Sequence, residues 1–401
     1  MEDVVSRPLR IVYLCACAQG GMLHYAQSLS GGAARGAQAT VVVLGERGVL
    51  AGLPDGENLR AIAWSANAVC RKLLERYNPL FYRAIARTIC GRYRPDVVHI
   101  TAYVQGLAAL VDALRARGVH VVYTVHDPRP HEERLTLWGR VFGWYQRAWQ
   151  IPHALARCAA VHVHSNDHVA ALTARYGASL AAATYVVPHG GGLTRRVAGG
   201  GTRAPELPAR SAEPTMLFFG RIEPYKGLDD LLACMVDLQH RGIRCRLIIA
   251  GAGSIAASAL KPASGRVTVI NRFIDDTEIR GIFEASDLVV LPYRSATQSG
   301  VIPMAYAFGK PVVATRVGAL PEMVVEGTTG ALVRPNDPEA LAGTLERLLR
   351  DADRLKRMGE AARLYVAEHF AWEGLAHDHL AVYQAVCKAP PERRHAVLMS
   401  R

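Results

Sequence analysis

The sequence predicts an α/β protein made of two doubly wound parallel-sheet domains. Three observations predict it. Short apolar or β-branched runs alternate with amphipathic stretches, the pattern of strands buried on both faces and separated by helices. The alternation stops between His189 and Pro214, where Gly is frequent and three Pro interrupt it, and then restarts. The chain has 401 residues, half of them hydrophobic, which gives room for two or three domains with cores of their own.

In the first half, strands are expected at Leu9–Ala16, Ala39–Leu44, Val97–Ile100, His120–Thr124 and Ala160–His164, with helices such as Met22–Arg35 and Gly106–Arg117 between them. The β-then-α order makes each sheet parallel. In the second half, the strand candidates are Thr215–Phe219, Arg246–Ala250, Val267–Asn271, Leu288–Leu291, Pro311–Ala314 and Ala331–Val333. Leu228–Arg241, Thr277–Ala285, Met304–Phe308 and Pro338–Glu368 read as helices. Ligands of such sheets bind outside the carboxyl ends of the strands.

Composition narrows the function. Eight Cys are scattered without a C-x-x-C pair or a zinc-like cluster, which reads as reduced core thiols in a cytoplasmic chain with no bound metal. The apolar start is too short for a signal peptide, and no run is long enough to span a membrane. Net charge is +12, and residues 1–195 carry +9 of it, with 21 Lys/Arg against 12 Asp/Glu. An anionic partner for that half is implied. No nucleic-acid-reading motif accompanies the charge, so nucleic acid is excluded as partner.

Three segments carry chemistry. Gly20-Gly21 follows the first strand and opens a helix, where backbone N–H groups face an anion; an ordinary βα turn looks the same. Gly220-Arg221-Ile222-Glu223-Pro224-Tyr225-Lys226-Gly227 follows a strand and brings two cations to the helix start at Leu228, as a diphosphate requires, though two solvated cations would read alike. Leu291 to Thr315 runs from a strand through a polar loop holding Gln298, Ser299 and Gly300 into a short helix.

The order GRIEPYKGL, DLVVLPYRSATQSGV, AFGKPVVAT and VGALPEMVVEGTTGALV resembles the carboxyl-terminal domain of family 4 nucleotide-sugar glycosyltransferases, across residues 215 to about 370. The amino half resembles that family through Gly20-Gly21, Thr124-Val125-His126-Asp127 and Val187-Pro188-His189-Gly190. The resemblance implies the GT-B fold, two Rossmann-like domains facing across a cleft. It implies an acceptor-side domain over 1–190, a linker over 191–213, a nucleotide-sugar domain over 214–370, and a returning helix and tail over 371–401. It implies a hexosyltransferase that retains anomeric configuration and needs neither metal nor cofactor, the nucleoside-diphosphate sugar being a co-substrate.

By the same resemblance, Arg221 and Lys226 clamp the diphosphate, with Gly20, Gly21, Gln298, Ser299, Gly300 and Glu322 on the donor. His126 lies by the transferred sugar. Asp127 and His131, in the loop that carries His126, are expected to face the acceptor, as is Tyr25. Most relatives carry two Glu eight positions apart, where this chain has Ala296 and Met304. The second Glu typically holds the ribose, which Met cannot do. That departure leaves two alternatives in play: a GT-B protein that binds a nucleotide sugar without transferring it, and a sugar-nucleotide epimerase.

Two basic segments with interleaved aromatics, Arg71–Arg94 and Arg134–Arg157, fit an anionic membrane surface, and the second holds three of the five Trp. A helix packed on the core with a solvated Arg face has the same pattern. The surface reading places the chain peripherally on the inner face of the cell membrane. The acceptor is then a lipid-linked glycan, and otherwise a small-molecule natural product.

Overall fold

The computed structural model describes residues 7–17, 21–46, 50, 58–64, 78–128, 143–181, 183–191, 206–207, 211–256, 260 and 265–388. Gly20, His131, residues 71–77 and 134–142 of the basic segments, and the tail from 389 lie outside them. The chain divides into two compact units, 1–188 with 372–401, and 189–371.

The first unit contains β1 (Leu9–Cys15), α1 (Gly21–Ala33), β2 (Ala37–Glu46), β3 (Leu59–Trp64), α2 (Pro79–Tyr93), β4 (Val97–Ile100), α3 (Leu107–Arg115) and β5 (His120–Thr124). A π-helical turn, Gln146–Gln150, leads into α4 (Ile151–Arg157), then β6 (Ala160–Val163), α5 (Asn166–Tyr176), α6 (Ala178–Ala181) and β7 (Thr184–Val186). All seven strands are parallel in the order β3-β2-β1-β4-β5-β6-β7, so the direction of winding reverses between β1 and β4. Strand residues alternate between faces. Val12 and Leu14 join Val98, Ile100 and Val121 in one core cluster with α2 and α3. Ile11, Tyr13 and Cys15 join Val41, Val97 and Val122 in the other with α1.

The second unit contains β8 (Thr215–Phe219), a 3₁₀ turn at Pro224–Lys226, α7 (Leu228–His240), β9 (Arg246–Ala250), β10 (Val267–Ile270), α8 (Asp276–Glu284), β11 (Leu288–Leu291), α9 (Val301–Ala307), β12 (Val312–Thr315), α10 (Leu320–Met323) and β13 (Gly330–Val333). Its six strands are parallel in the order β10-β9-β8-β11-β12-β13, reversing between β8 and β11. The helical stretch expected over 338–368 is two helices, α11 (Pro338–Leu349) and α12 (Ala352–His369). The break lies at Asp351, whose carboxylate accepts from the Arg354 N–H at 2.8 Å and caps the second helix. The last helix, α13 (Trp372–Lys388), returns to the first unit and packs on α1, with Leu375, Ala376, Tyr383 and Val386 buried.

Strand β3 has no counterpart among the expected elements. In the described part of the first basic segment, the apolar stripe of α2, made by Tyr82, Ile85, Ala86 and Ile89, is buried in the core, as the core-packed reading expects, and Leu80 at its start is exposed. In the second segment Trp144 and Trp149 are 66% and 49% exposed. Among the described residues no helix is long and apolar enough to cross a membrane.

Candidate active site

Each sheet offers a site where its winding reverses. In the second unit two loops meet there, one after β8 and one after β11. Gly227 caps the 3₁₀ turn with φ +65°, and a Cβ at that position would stand 2.0 Å from the Pro292 carbonyl oxygen. The Arg294 N–H donates to the Tyr225 carbonyl at 2.7 Å, and its guanidinium grips Asp230 of α7 at 2.8 and 3.1 Å. A bidentate pair of this kind fixes orientation as well as distance.

The clamp residues stand on this base. Gly220 has φ +106°, and the Lys226 ammonium folds to 3.0 Å from where its Cβ would be. The Lys226 Nζ lies 5.5 Å from the centroid of the buried Tyr293 ring. Burial, then the charge of Arg221, lower the Lys226 pKa to about 8, and Glu223 opposes them. Arg221 is 79% exposed, 3.7 Å from Glu223. A half-buried ammonium beside a second cation is poised to gain from an anion.

The loop that carries Gln298, Ser299 and Gly300 is tied to the segment after β12. The Ala319 N–H donates to the Thr297 carbonyl at 3.1 Å, and Gly318, at φ +51°, passes so close to the Ala296 carbonyl that a side chain would collide with it. This brings Glu322 of α10 to the same end of the sheet as Gln298. The buried Ser299 accepts from the Val301 N–H at 3.3 Å, and Gly300 precedes α9. The Gln298 Oε1 is buried without a hydrogen-bond partner. Met304 and Ala296 pack against the core beneath. Arg294, Asp230 and Tyr293 were not singled out from the sequence, although Tyr293 and Arg294 lie within the quoted LPYRSATQSG run.

In the first unit, His126 follows β5. Its Nε2 lies 2.7 Å from the Thr101 carbonyl, in the loop after β4, and its Nδ1 lies 2.8 Å from the Nε2 of His164. The Nδ1 of His164 lies 3.3 Å from the Val187 carbonyl. Carbonyls only accept, so this carbonyl–ring–ring–carbonyl series needs three N–H groups, and two neutral imidazoles own two. All three contacts are met together when the pair shares one additional proton. With both His126 nitrogens engaged in protein contacts, the ring is a positioned dipole or charge rather than a free base.

Behind the pair lies a buried polar layer. Tyr383 O–H donates to His99 Nδ1 at 2.5 Å, His99 Nε2 donates to Thr124 at 2.6 Å, Thr124 donates to His162 Nδ1 at 3.0 Å, and His162 Nε2 donates to Val187 O at 2.9 Å. This order satisfies every group with neutral rings. Burial first, and neighbouring imidazoles second, hold His99 and His162 well below the usual imidazole range, and burial lowers His379 to about 3. Tyr25 is 2% exposed and sits edge-on to His126 and His164 at 5.1 and 5.6 Å. It does not line the adjoining cavity, so it supports the rings from behind.

That cavity, of about 460 Å³, is lined by His126, Asp127, Tyr103, Tyr123, Arg147 and Arg175 together with apolar side chains. Its size falls within the ~300–1,000 Å³ typical of ligand pockets. His189 lies in the second unit, its Nδ1 2.8 Å from the Gly190 carbonyl.

Residues 19–191 match the family model Glycosyltransferase Family 4, and residues 213–351 match Glycosyl transferases group 1. The D-inositol 3-phosphate glycosyltransferase of Nocardia farcinica is 31% identical over 316 residues, which is 76% of this chain and 69% of that protein. The protein of the same name from Segniliparus rotundus is 33% identical over 193 residues, 46% of this chain; the match spans 42% of that relative's length. Among solved structures, HepE of Anabaena in complex with UDP and glucose has a TM-score of 0.70 at 17% identity, covering 94% of this chain and 99% of that one. Two Rossmann-like parallel-sheet units, a family match in each and the Nocardia relative together make this chain a glycosyltransferase of family 4, with the GT-B fold.

Proposed function

We propose that the second unit binds a nucleoside-diphosphate sugar and that its sugar passes, with retention at the anomeric carbon, to a hydroxyl of an acceptor bound in the cavity beside His126. The observation that carries this reading is the half-buried Lys226 ammonium, held by the Gly220–Gly227 and Pro292–Arg294 loops at the reversal of the sheet. Lys226 and Arg221 would neutralise the charge that grows on the leaving diphosphate, without a metal or cofactor. The leaving phosphate oxygen would take the acceptor proton, since His126 has no free nitrogen. Gln298, with its unpartnered carbonyl oxygen, and Glu322 would face the donor, while Asp127 would face the acceptor.

HepE holds UDP, which makes UDP the first nucleotide to try. A thermal-shift panel of UDP, GDP, ADP, CDP and dTDP, free and as sugar conjugates, tests the donor site, because a ligand of the folded state raises the melting temperature. A shift with one nucleotide that Lys226→Ala abolishes supports the reading. A shift that survives Lys226→Ala sinks the clamp assignment. Product formation with any acceptor separates transfer from binding alone. For location, we propose a cytoplasmic protein peripheral on the inner face of the membrane, on the strength of the exposed Trp144 and Trp149.

A further inference from the structure

Strand β1 ends at Cys15, and the chain bends at Ala16 before Cys17. In a regular strand, residues two apart have Cα atoms ~6.6 Å apart, at the far limit of the ~4.4–6.8 Å that a disulfide spans. The bend takes the pair out of that extended geometry. The Cys15 thiol donates to the Cys17 carbonyl at 3.3 Å and is within hydrogen-bonding reach of the Cys17 sulfur. The two thiols differ in access. Cys15 is buried in the core cluster with α1, whereas Cys17 is half-buried and lines the cavity that His126 and Asp127 also line. They differ in acidity too. The Cys15 S–H beside it favours the Cys17 thiolate and holds that thiol below its ordinary range, against the opposing effect of burial. Burial instead pushes up the thiols of Cys90, Cys158, Cys234 and Cys245. An accessible, acidified thiol with a second thiol next to it is the arrangement that exchanges with disulfides.

We propose that Cys17 is a thiol–disulfide exchange site in the wall of this cavity, that its reagents are small soluble disulfides, and that Cys15 resolves the adduct into a Cys15–Cys17 disulfide. The Cys17 thiolate attacks one sulfur of the small disulfide; a bond to Cys17 forms, the reagent's S–S bond breaks and one small thiolate leaves. Cys15 then attacks the Cys17 sulfur, forms the protein disulfide and expels the second small thiolate. The protons of the two protein thiols end on the two small thiols, and two electrons pass from the protein to the reagent. The Cys15 thiol is held protonated chiefly by its hydrogen bond to Cys17, so capping Cys17 removes the largest obstacle to the second step. The exchange puts a redox-sensitive group in the same cavity wall as His126, and it depends on no reading of what that cavity binds.

The test exposes the reduced full chain to oxidised glutathione at pH 7, quenches with acid, alkylates the remaining thiols with N-ethylmaleimide and maps tryptic peptides by mass. Cleavage after Arg10 and Arg35 puts both cysteines in the peptide 11–35. That peptide should take up no alkyl group and be lighter by two hydrogens than its reduced form, and dithiothreitol should reverse this. Loss of the Cys17 thiol should be at least about fivefold faster than loss of the Cys90 thiol, because the gain in thiolate outweighs the lower nucleophilicity that accompanies it. Cys15→Ala should stop at a stable glutathione adduct on Cys17. Cys17→Ser should leave Cys15 unmodified, since Cys15 has no access of its own. A peptide 11–35 that stays doubly alkylated, or reacts no faster than Cys90, would overturn the proposal. A glutathione adduct that persists on the unaltered chain would overturn the resolving role of Cys15. The mass and the rate are read on the unaltered protein and depend on no variant folding. No sugar or nucleotide enters the measurement, so its failure leaves the glycosyltransferase reading standing.

Discussion

Nucleotide binding should weaken above pH 8, and the cause is a single side chain. In the free protein Lys226 has a pKa of about 8, chiefly through burial, with Arg221 adding to the effect. A diphosphate on its ammonium returns the pKa to the ordinary lysine range near 10.4 or above. Binding is then tied to uptake of one proton wherever free Lys226 is deprotonated. The sign follows directly: below pH 8 the lysine is already charged and affinity is level, and above it each pH unit costs about tenfold, or ~1.4 kcal/mol. UDP should bind ~10-fold more weakly at pH 9 than at pH 7, and ~30-fold more weakly at pH 9.5. The window starts at pH 7, above the second phosphate pKa of ~6, so that the diphosphate does not titrate, and ionisation of the uracil ring near the top of the window is read on Lys226→Arg and subtracted. Isothermal titration in two buffers of different ionisation heat reads both affinity and proton uptake, which should be near half a proton at pH 8. Lys226→Arg, charged throughout, should flatten the profile, and Lys226→Ala should flatten it at a weaker affinity. A dissociation constant that stays within twofold from pH 7 to 9.5, or a slope as steep in Lys226→Arg as in the unaltered protein, would refute the clamp.

The other predictions concern the frame around the sites. His126→Ala and His164→Ala should each lower transfer by roughly tenfold to a hundredfold and leave UDP affinity unchanged, as single-turnover and binding measurements would read; equal loss of both would make the pair merely structural. The first unit should be acid-labile. Its buried His99, His162 and His379 stay neutral when folded but gain protons near pH 6.5 when unfolded, so stability is complete above that pH and falls as pH drops below it. Between pH 7.5 and 5.5 the loss is about 1.4 kcal/mol for each, or about 4 kcal/mol together; urea melts with equal stability at both pH values would contradict this. Gly227→Ala places a Cβ on the Pro292 carbonyl at a left-handed position and should cost at least ~1–3 kcal/mol. It should also abolish UDP binding, and an unaltered melt with unaltered affinity would show that the two loops are not interlocked as described.

What the sequence determined by itself is local. A strand's apolar run, its carboxyl end and the next helix start lie within some fifteen residues, so the β8–α7 loop was legible with Arg221 and Lys226 already placed on it. The run after β11 was legible for the same reason, with Gln298, Ser299 and Gly300 at the next helix start. Periodicity failed where the signal was weak or interrupted. Strand β3 lies at the edge of its sheet, with Arg60 and two Ala diluting its apolar run, and Asp351 breaks an otherwise continuous helical pattern through one cap. The sequence left α2 open between two readings, because an amphipathic stripe looks the same whether it meets a core or a membrane.

Only the tertiary structure decided what the histidines do. His99 meets Tyr383 across 284 positions and His126 meets His164 across 38, and no local pattern encodes such pairings. The same holds for Arg294 on Asp230, 64 positions apart, and for the cavity that His126, Arg147 and Arg175 line together. Hydrogen-bonding order, burial and charge in these places depend on which strand ends are brought side by side. That is set by the winding of the sheets, whose free energy is spread over the whole core rather than over any one segment.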